Sequence, residues 1–95
     1  MVTAPALSSE AAWVVYIVES ERGALYTGIT TCLERRLREH ASGRGARWFR
    51  FAGPARLRYR EDAADRSAAL VREAAIKRLT RAAKLELIAG REAAR

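Results

Sequence analysis

The stretch VVYIVESERGALYTG, residues 14–28, decides the fold of this chain. Two short runs rich in β-forming residues flank the polar, glycine-containing segment SERG, and this pattern predicts an antiparallel β-hairpin. The run WVVYIV, residues 13–18, is apolar throughout, as expected of a central strand covered on both faces. Each strand carries one tyrosine, Tyr16 or Tyr26, so their relative orientation is the first question.

The length of the hairpin loop settles that orientation. A loop with an odd number of residues, such as residues 19–23, places Tyr16 opposite Tyr26, because directly paired residues project from the same face of a sheet. A two-residue turn at Arg22 and Gly23 would place the tyrosines on opposite faces. The sequence favours neither turn, and both stay open at this level.

The remaining chain alternates between helical and extended patterns. The order β-β-α-β-α-α predicts an α+β domain, with a small three-stranded antiparallel sheet flanked by helices. The first predicted helix is capped by Thr30 or Thr31 and ends at Gly43. A strand follows over residues 55–61, with Leu57 and Tyr59 on one face and arginines on the other. The last two elements are a helix from Asp65 or Ser67 to Leu79 and a helix that is capped by Thr80 and closed by Gly90.

The composition predicts one soluble domain with an affinity for polyanions. The 95 residues suffice for a single core, expected over residues 13–90 between a flexible arm, 1–12, and a short tail, 91–95. Eighteen Lys and Arg against eleven Asp and Glu give a net charge of +7, which attracts nucleic acid. No apolar run approaches the ~20 residues that a membrane span needs, and the first dozen residues do not have the pattern of a signal peptide. The lone Cys32 excludes an internal disulfide, so we expect a cytoplasmic protein.

Two polar positions on the first helix lie close to its apolar stripe. Leu33 and Leu37 define that stripe, and Arg36 and His40 lie four residues apart beside it, whereas Glu39 and the remaining charged residues are expected to face solvent. Arg36 and His40 therefore either face the sheet as functional groups, or extend over apolar surface and cap the helix end.

The long helix carries one carboxylate in a mostly apolar setting. Glu73 has Ala69 and Leu70 one turn before it, and Ile76 and Lys77 one turn after it. A partly buried carboxylate needs a partner, but Glu73 and Lys77 also have the order of a surface i,i+4 ion pair. Helix geometry alone leaves both interpretations open.

Taken together, these positions resemble the GIY-YIG nuclease superfamily over residues 13–88, in order and in register. The first motif stands as Val15-Tyr16-Ile17 and the second as Tyr26-Thr27-Gly28. The arginine and histidine follow in LERRLREH, and a single acidic residue follows in REAAIK. The pattern is most similar to that of the small stand-alone bacterial proteins of the superfamily.

The resemblance implies metal-dependent cleavage of a phosphodiester, usually in DNA, on one face of the sheet. It implies one divalent cation, Mg²⁺ or Mn²⁺, held by a carboxylate with water and phosphate oxygens. The implied roles are Glu73 as metal ligand, Tyr26 as the favoured general base, Tyr16 as the group that orders water or Tyr26, Arg36 and His40 as phosphate contacts, and Gly28 as a point of close backbone approach to the nucleic acid.

Further contacts with nucleic acid are expected outside this set. Arginines interleave with aromatic side chains in GRGARWFRF, a pattern suited to phosphate contact and base stacking, although core packing explains the aromatics equally well. The predicted contacts are Arg44, Arg47, Trp48, Arg50 and Lys77.

The chain also departs from its apparent relatives at three places. Ile29 stands where some repair nucleases have a lysine near the base, Cys32 stands where an acidic or Asn cap is usual, and Trp48-Phe49 replaces a Tyr-Thr-like pair.

The predicted function is a DNA endonuclease of repair or processing, acting on branched, damaged or single-stranded DNA. Sequence-specific cutting would require a homodimer or a protein partner, because one domain of this size covers few base pairs. RNA as a substrate stays open, and so does the choice between Tyr16 and Tyr26 as the base. The alternative is a nucleic-acid-binding module with little or no cleavage, although an isolated carboxylate facing phosphate would weaken such binding without a metal.

Overall fold

Three antiparallel strands and three helices make up the computed structural model, which describes residues 12–41 and 55–93. The strands form one sheet in the order β2-β1-β3, so the first strand is central. This confirms the predicted α+β class and the β-β-α-β-α-α order. The elements are β1 (Trp13–Ser20), β2 (Leu25–Thr30), α1 (Leu33–Ala41), β3 (Ala55–Ala63), α2 (Arg66–Lys77) and α3 (Arg81–Ala93).

The central strand is buried on both faces, which explains its unbroken apolar run. On one face, Val15 and Ile17 are fully buried and pack with side chains of α2 and α3, among them Ile76 and Ile88. We call the opposite face, which carries Val14, Tyr16 and Val18, the tyrosine face; Leu33 and Leu37 of α1 pack against it. The two faces therefore have separate cores.

The hairpin closes with a three-residue loop, residues 21–23. The N–H of Ser20 donates to the carbonyl of Ala24 at 2.9 Å, and the N–H of Gly23 donates to the carbonyl of Ser20 at 2.9 Å. The Ser20 hydroxyl accepts from the N–H of Arg22 at 3.3 Å and of Ala24 at 3.1 Å. Gly23 has φ 89°, a left-handed conformation that glycine adopts without steric cost.

This loop places both tyrosines on the same face. Tyr16 lies opposite Gly28 and Tyr26 lies opposite Val18, so the two tyrosines are diagonal neighbours across the strand pair. The loop has an odd number of residues, as required for the two tyrosines to share a face. The direct pairing of Tyr16 with Tyr26 is wrong, because the bonds of Ser20 close the loop at residues 21–23 and not at 19–23.

Gly28 leaves the space that the ring of Tyr16 occupies. A Cβ atom at position 28 would lie 2.6 Å from the Tyr16 hydroxyl oxygen and 2.8 Å from its Cζ. Tyr16 is only 4% exposed, so its ring has no free volume into which to retreat. The glycine of the second motif therefore holds the tyrosine of the first motif in place.

A β-bulge in the third strand overturns one expectation about its faces. Tyr59 pairs with Ile17 and Leu57 pairs with Val18, so Arg58 is the additional residue between them. Leu57 and Tyr59 therefore lie on opposite faces, contrary to the prediction that they share one. Arg60 lies opposite Tyr16, on the tyrosine face.

Two of the three predicted N-terminal helix caps are present in the structure. The Thr30 hydroxyl accepts from the N–H of Cys32 at 3.0 Å, Asp65 Oδ1 accepts from Ala68 N–H at 2.8 Å, and the Thr80 hydroxyl accepts from Ala83 N–H at 3.1 Å. The last two contacts decide for Asp65 over Ser67 and confirm Thr80. The prediction that Thr30 or Thr31 caps the first helix is wrong: α1 begins at Leu33, directly after Cys32, and the Thr30 hydroxyl stabilises the turn that precedes the helix.

The helix ends differ from those predicted. α2 ends at Lys77 instead of Leu79, and Arg78 caps it in a right-handed conformation. The prediction that Gly90 closes the last helix is wrong: α3 continues to Ala93, because Gly90 lacks the positive φ of a terminating glycine. No helix within residues 12–41 and 55–93 has the length and apolar character that crossing a membrane requires.

Gly28→Ala tests the contact with Tyr16. We expect the substitution to lower the free energy of unfolding by about 1–3 kcal/mol, because the added methyl group overlaps a buried ring. Urea denaturation measures this change. The matched control is Gly90→Ala, where a Cβ meets nothing within 4 Å; it should raise the free energy of unfolding by up to about 1 kcal/mol through helix propensity. Equal effects at both positions would contradict the packing role of Gly28.

Candidate active site

Charged side chains from two helices act on the hydroxyl of Tyr16. Burial raises its pKa above the ordinary value of 10.0; the guanidinium of Arg36 opposes this shift, and the carboxylates of Glu73 and Glu39 add to it. Arg36 and Glu39 belong to α1 and Glu73 belongs to α2. Both helices therefore bring charged groups within electrostatic reach of one buried phenol.

Arg36 faces the sheet with part of its guanidinium lacking a partner. Its side chain is 33% exposed, and its Nη1 lies 3.4 Å from the carboxylate of Glu39. Its Nε is buried and has no hydrogen-bond partner among the described residues. A buried N–H donor without a partner is rare in folded proteins, and an anionic ligand would satisfy it.

Glu73 is both partly buried and paired with Lys77, so the two interpretations that the sequence left open both apply. Its Oε2 lies 3.3 Å from the Nζ of Lys77, the expected i,i+4 pair. However, the Glu73 side chain is only 18% exposed while that of Lys77 is 56% exposed. The ion pair therefore lies at the edge of a buried region and not in open solvent. The carboxylate of Glu73 is the buried partner, and it lies within electrostatic reach of Tyr16.

Tyr26 lies on the edge strand β2, packed against the apolar cluster of the tyrosine face. It also lines an open cavity of about 210 Å³ together with Leu25, Thr27, Lys77 and Lys84. Lys77 therefore connects the two parts of the site, since it pairs with Glu73 and lines the cavity of Tyr26.

The structure brings together five of the residues singled out in the sequence and leaves others undescribed. Tyr16, Tyr26, Arg36, Glu73 and Lys77 lie around the tyrosine face and its β2 edge. His40 stands one helical turn after Arg36 on α1, and its side chain is not described. Gly28 lies beneath Tyr16, and its contact with nucleic acid stays a prediction. The remaining predicted contacts lie outside the described residues: Arg44, Arg47, Trp48 and Arg50.

Three residues near the site were missed in the sequence. Glu39 was expected to face solvent, but it pairs with Arg36 and its charge acts on Tyr16; the i,i+3 spacing of the pair is the signal for it. Arg60 lies opposite Tyr16 across the sheet. Lys84 lines the cavity of Tyr26, and no local pattern indicates that, because the contact depends on how α3 packs.

The profile of a family described as the GIY-YIG catalytic domain matches residues 12–86. The chain belongs to the GIY-YIG family. Its site therefore lies on a nuclease scaffold, and the coarse function that follows is cleavage of nucleic acid by an endonuclease-type domain.

Similar proteins of comparable length share this scaffold. UPF0213 protein DP2720 of Desulfotalea psychrophila is 50% identical over 82 residues, which cover 85% of this chain and 74% of that protein. UPF0213 protein YhbQ of Salmonella paratyphi B is 43% identical over 81 residues, covering 85% of this chain and 81% of that protein. The solution NMR structure of UPF0213 protein BH0048 of Bacillus halodurans has a TM-score of 0.54 at 38% identity, covering 82% of this chain and 83% of that one. These relatives support the assignment of the chain to the small stand-alone bacterial proteins of the family. Their names do not describe an activity.

The raised pKa of Tyr16 predicts how stability depends on pH. Tyr59, on the other face, also has a raised pKa, because of burial and its hydrogen bond to Glu61. In the unfolded chain both phenols ionise near pH 10, while the folded state keeps their protons. The stabilisation is therefore fully present below pH 10 and is lost as the pH rises through the folded pKa values.

We expect the free energy of unfolding to fall between pH 10 and 11, and Tyr16→Phe and Tyr59→Phe each to reduce that fall. Urea unfolding at pH 8, 9, 10 and 11 measures it. A Tyr16→Phe profile that runs parallel to the wild-type profile at every pH would contradict a protonated, desolvated Tyr16.

Proposed function

We propose that this chain is a divalent-metal-dependent endonuclease that hydrolyses phosphodiester bonds in DNA. The observation that carries the proposal is the placement of Arg36 and Glu73, from separate helices, within electrostatic reach of the buried Tyr16. A cation donor for phosphate, a carboxylate for metal and a phenol next to a second tyrosine are the groups that phosphodiester hydrolysis requires.

The donor set fits one hard divalent cation, Mg²⁺ or Mn²⁺. Within the described residues, no group of three or more His, Cys, Asp or Glu side chains is placed to hold a metal by itself. Mg²⁺ does not need such a group, because it is commonly held by one or two carboxylates together with water and substrate phosphates. Glu73, largely buried but not fully enclosed, is the residue that would hold it. When bound, the ion polarises the phosphate and stabilises the leaving oxygen.

The environments of the two tyrosines suggest different roles for them. Burial, Glu73 and Glu39 all hold the proton on Tyr16, so we assign Tyr16 as a hydrogen-bond donor that orders the attacking water or Tyr26. Tyr26 lies on the edge strand and lines an open cavity together with Lys77 and Lys84, so it is the tyrosine that a substrate phosphate can approach. Tyr26 is therefore our choice for the general base.

Arg36 is assigned to the scissile phosphate. Its side chain is one-third exposed, and the 3.4 Å contact of its Nη1 with Glu39 is long enough to be exchanged for a phosphate oxygen. A guanidinium fork matches the charge that spreads over the phosphate oxygens in the transition state. His40, one turn later on the same helix, is proposed as a second phosphate contact.

The proposed substrate is DNA with branched, damaged or single-stranded structure, cut in the cytoplasm during repair or processing. The net charge of +7 supports contact with the phosphate backbone, which carries no sequence information. A homodimer or a protein partner would be needed to read sequence. The second candidate, a binding module without cleavage, leaves the carboxylate of Glu73 beside the phosphate site without a purpose.

Cleavage assays with Glu73→Gln and Tyr26→Phe test the proposed function. We expect wild type to cut single-stranded, flap or junction DNA with Mg²⁺ or Mn²⁺ and to be inactive in EDTA. Each variant should lose at least about 100-fold in rate, because each removes a group that acts in the transition state. Fluorescently labelled substrates on denaturing gels give the rates, and RNA substrates belong in the same series.

The matched control is Glu86→Gln, the same chemical change at an exposed position of α3, on a cavity bordered by Tyr59 and away from the tyrosine face. It should cut at the wild-type rate. Cleavage that persists in EDTA and in both site variants would refute the mechanism, and tight binding without cutting by wild type would favour the binding module.

A further inference from the structure

We propose that Lys77 and Lys84, the only two lysines of the chain, form a subsite that binds a phosphate of the substrate strand next to the scissile one. The proposal rests on the nuclease function proposed above and adds Lys84, which lies outside the sequence motifs, to Lys77, the lysine of REAAIK. Both side chains line the open cavity of about 210 Å³ at the edge of β2, together with Leu25, Tyr26 and Thr27.

The packing of α3 creates this arrangement. Lys77 is the last residue of α2, and Lys84 lies near the start of α3. The guanidinium of Arg81 donates to the carbonyl of Gly23 at 2.7 Å, which fixes the start of α3 against the hairpin loop. Because Lys84 follows Arg81 by three residues, the two lie on the same side of the helix, and Lys84 reaches the edge of β2.

The charges of the cavity suit a phosphodiester. Among the described residues, its lining contains two ammonium groups and no acidic side chain. Lys77 is paired with Glu73, whereas Lys84 forms no ion pair with any described residue. A half-buried ammonium without a counter-ion favours an anion, and lysine binds phosphate as a compact point charge with three donors.

A second observation points to a missing partner in the same place. The hydroxyl oxygen of Thr27, a residue of the cavity wall, is buried and has no hydrogen-bond partner among the described residues. Buried polar atoms in folded proteins are nearly always satisfied by protein, water or ligand. The wall of the cavity therefore contains a polar atom that the described part of the protein does not satisfy.

The subsite is continuous with the catalytic centre. Tyr26, assigned as general base, lines the cavity, and Lys77 contacts the carboxylate assigned to the metal. A strand that places one phosphate at Arg36 and Tyr26 would thus bring a neighbouring phosphate to Lys84. Leu25 adds an apolar side chain to the lining of the cavity.

Lysines near an edge strand can also serve to prevent edge-to-edge aggregation, so the test must measure binding. The background is the full chain with Glu73→Gln, which is expected not to cut, so that binding is measured without cleavage. Lys84→Gln or Arg66→Gln is then added to this background, and the two double variants are compared. Arg66, an exposed residue at the start of α2, loses the same charge about 16 Å from Lys77 along the helix axis. The probe is a fluorescent single-stranded oligonucleotide, and its anisotropy is followed from 50 to 200 mM NaCl.

Lys84→Gln should weaken binding about 10-fold and reduce the slope of log K against log[salt] by about 0.7, the loss of one phosphate contact on a single strand. Arg66→Gln should change the affinity less than about 2-fold, and Lys84→Arg should retain most of it. Thermal unfolding of every variant verifies that the fold is intact.

The failure of this subsite and the failure of the nuclease proposal can be told apart. If the wild type cuts DNA but Lys84→Gln binds no more weakly than Arg66→Gln, the subsite is refuted and the nuclease stands. If neither the wild type nor any variant cuts DNA, but Lys84→Gln alone weakens binding and reduces the salt slope, the subsite stands and the nuclease is refuted. Loss of affinity in Lys84→Arg equal to that in Lys84→Gln also refutes a simple charge contact.

Discussion

The packing of the Tyr16 ring on Gly28 is the constraint on which the site depends. It requires a strand register in which Tyr16 faces Gly28, and the three-residue loop closed by Ser20 and Gly23 supplies that register. A change of one residue in the loop would move Tyr26 to the other face of the sheet. The loop, the glycine and the two tyrosines therefore act as one unit, although they are separate motifs in the sequence.

Around this unit, the two helices contribute groups of opposite charge to one desolvated phenol. Arg36 lowers the pKa of Tyr16, and burial, Glu73 and Glu39 raise it, so the phenol remains a proton donor between a guanidinium and a carboxylate. Each charged group also has a helix neighbour of opposite sign, Glu39 for Arg36 and Lys77 for Glu73. These ion pairs hold the side chains of Arg36 and Glu73 in place in the absence of phosphate and metal.

Local patterns in the sequence were sufficient for the strands, the helices, the N-caps of α2 and α3 and the positions of the motif residues. They could not define the partner of Tyr16, because loop length and register depend on the side-chain bonds of Ser20. The bulge at Arg58 and the continuation of α3 through Gly90 were also missed, since both residues are compatible with regular alternatives. Lys84 joins Tyr26 only through tertiary packing, which no spacing along the chain encodes.

The central claim is that the tyrosine face gathers Glu73 as the carboxylate of a divalent metal site. At 10.6 kDa, the protein is suited to NMR, and Mn²⁺ broadens the amide signals of nearby residues. With an uncleavable oligonucleotide present, substoichiometric Mn²⁺ should broaden the signals around Glu73, Tyr16 and Arg36 first, and Glu73→Gln should abolish this effect. Broadening centred elsewhere, for example on Glu61 of the opposite face, or unchanged broadening in Glu73→Gln, would contradict the account.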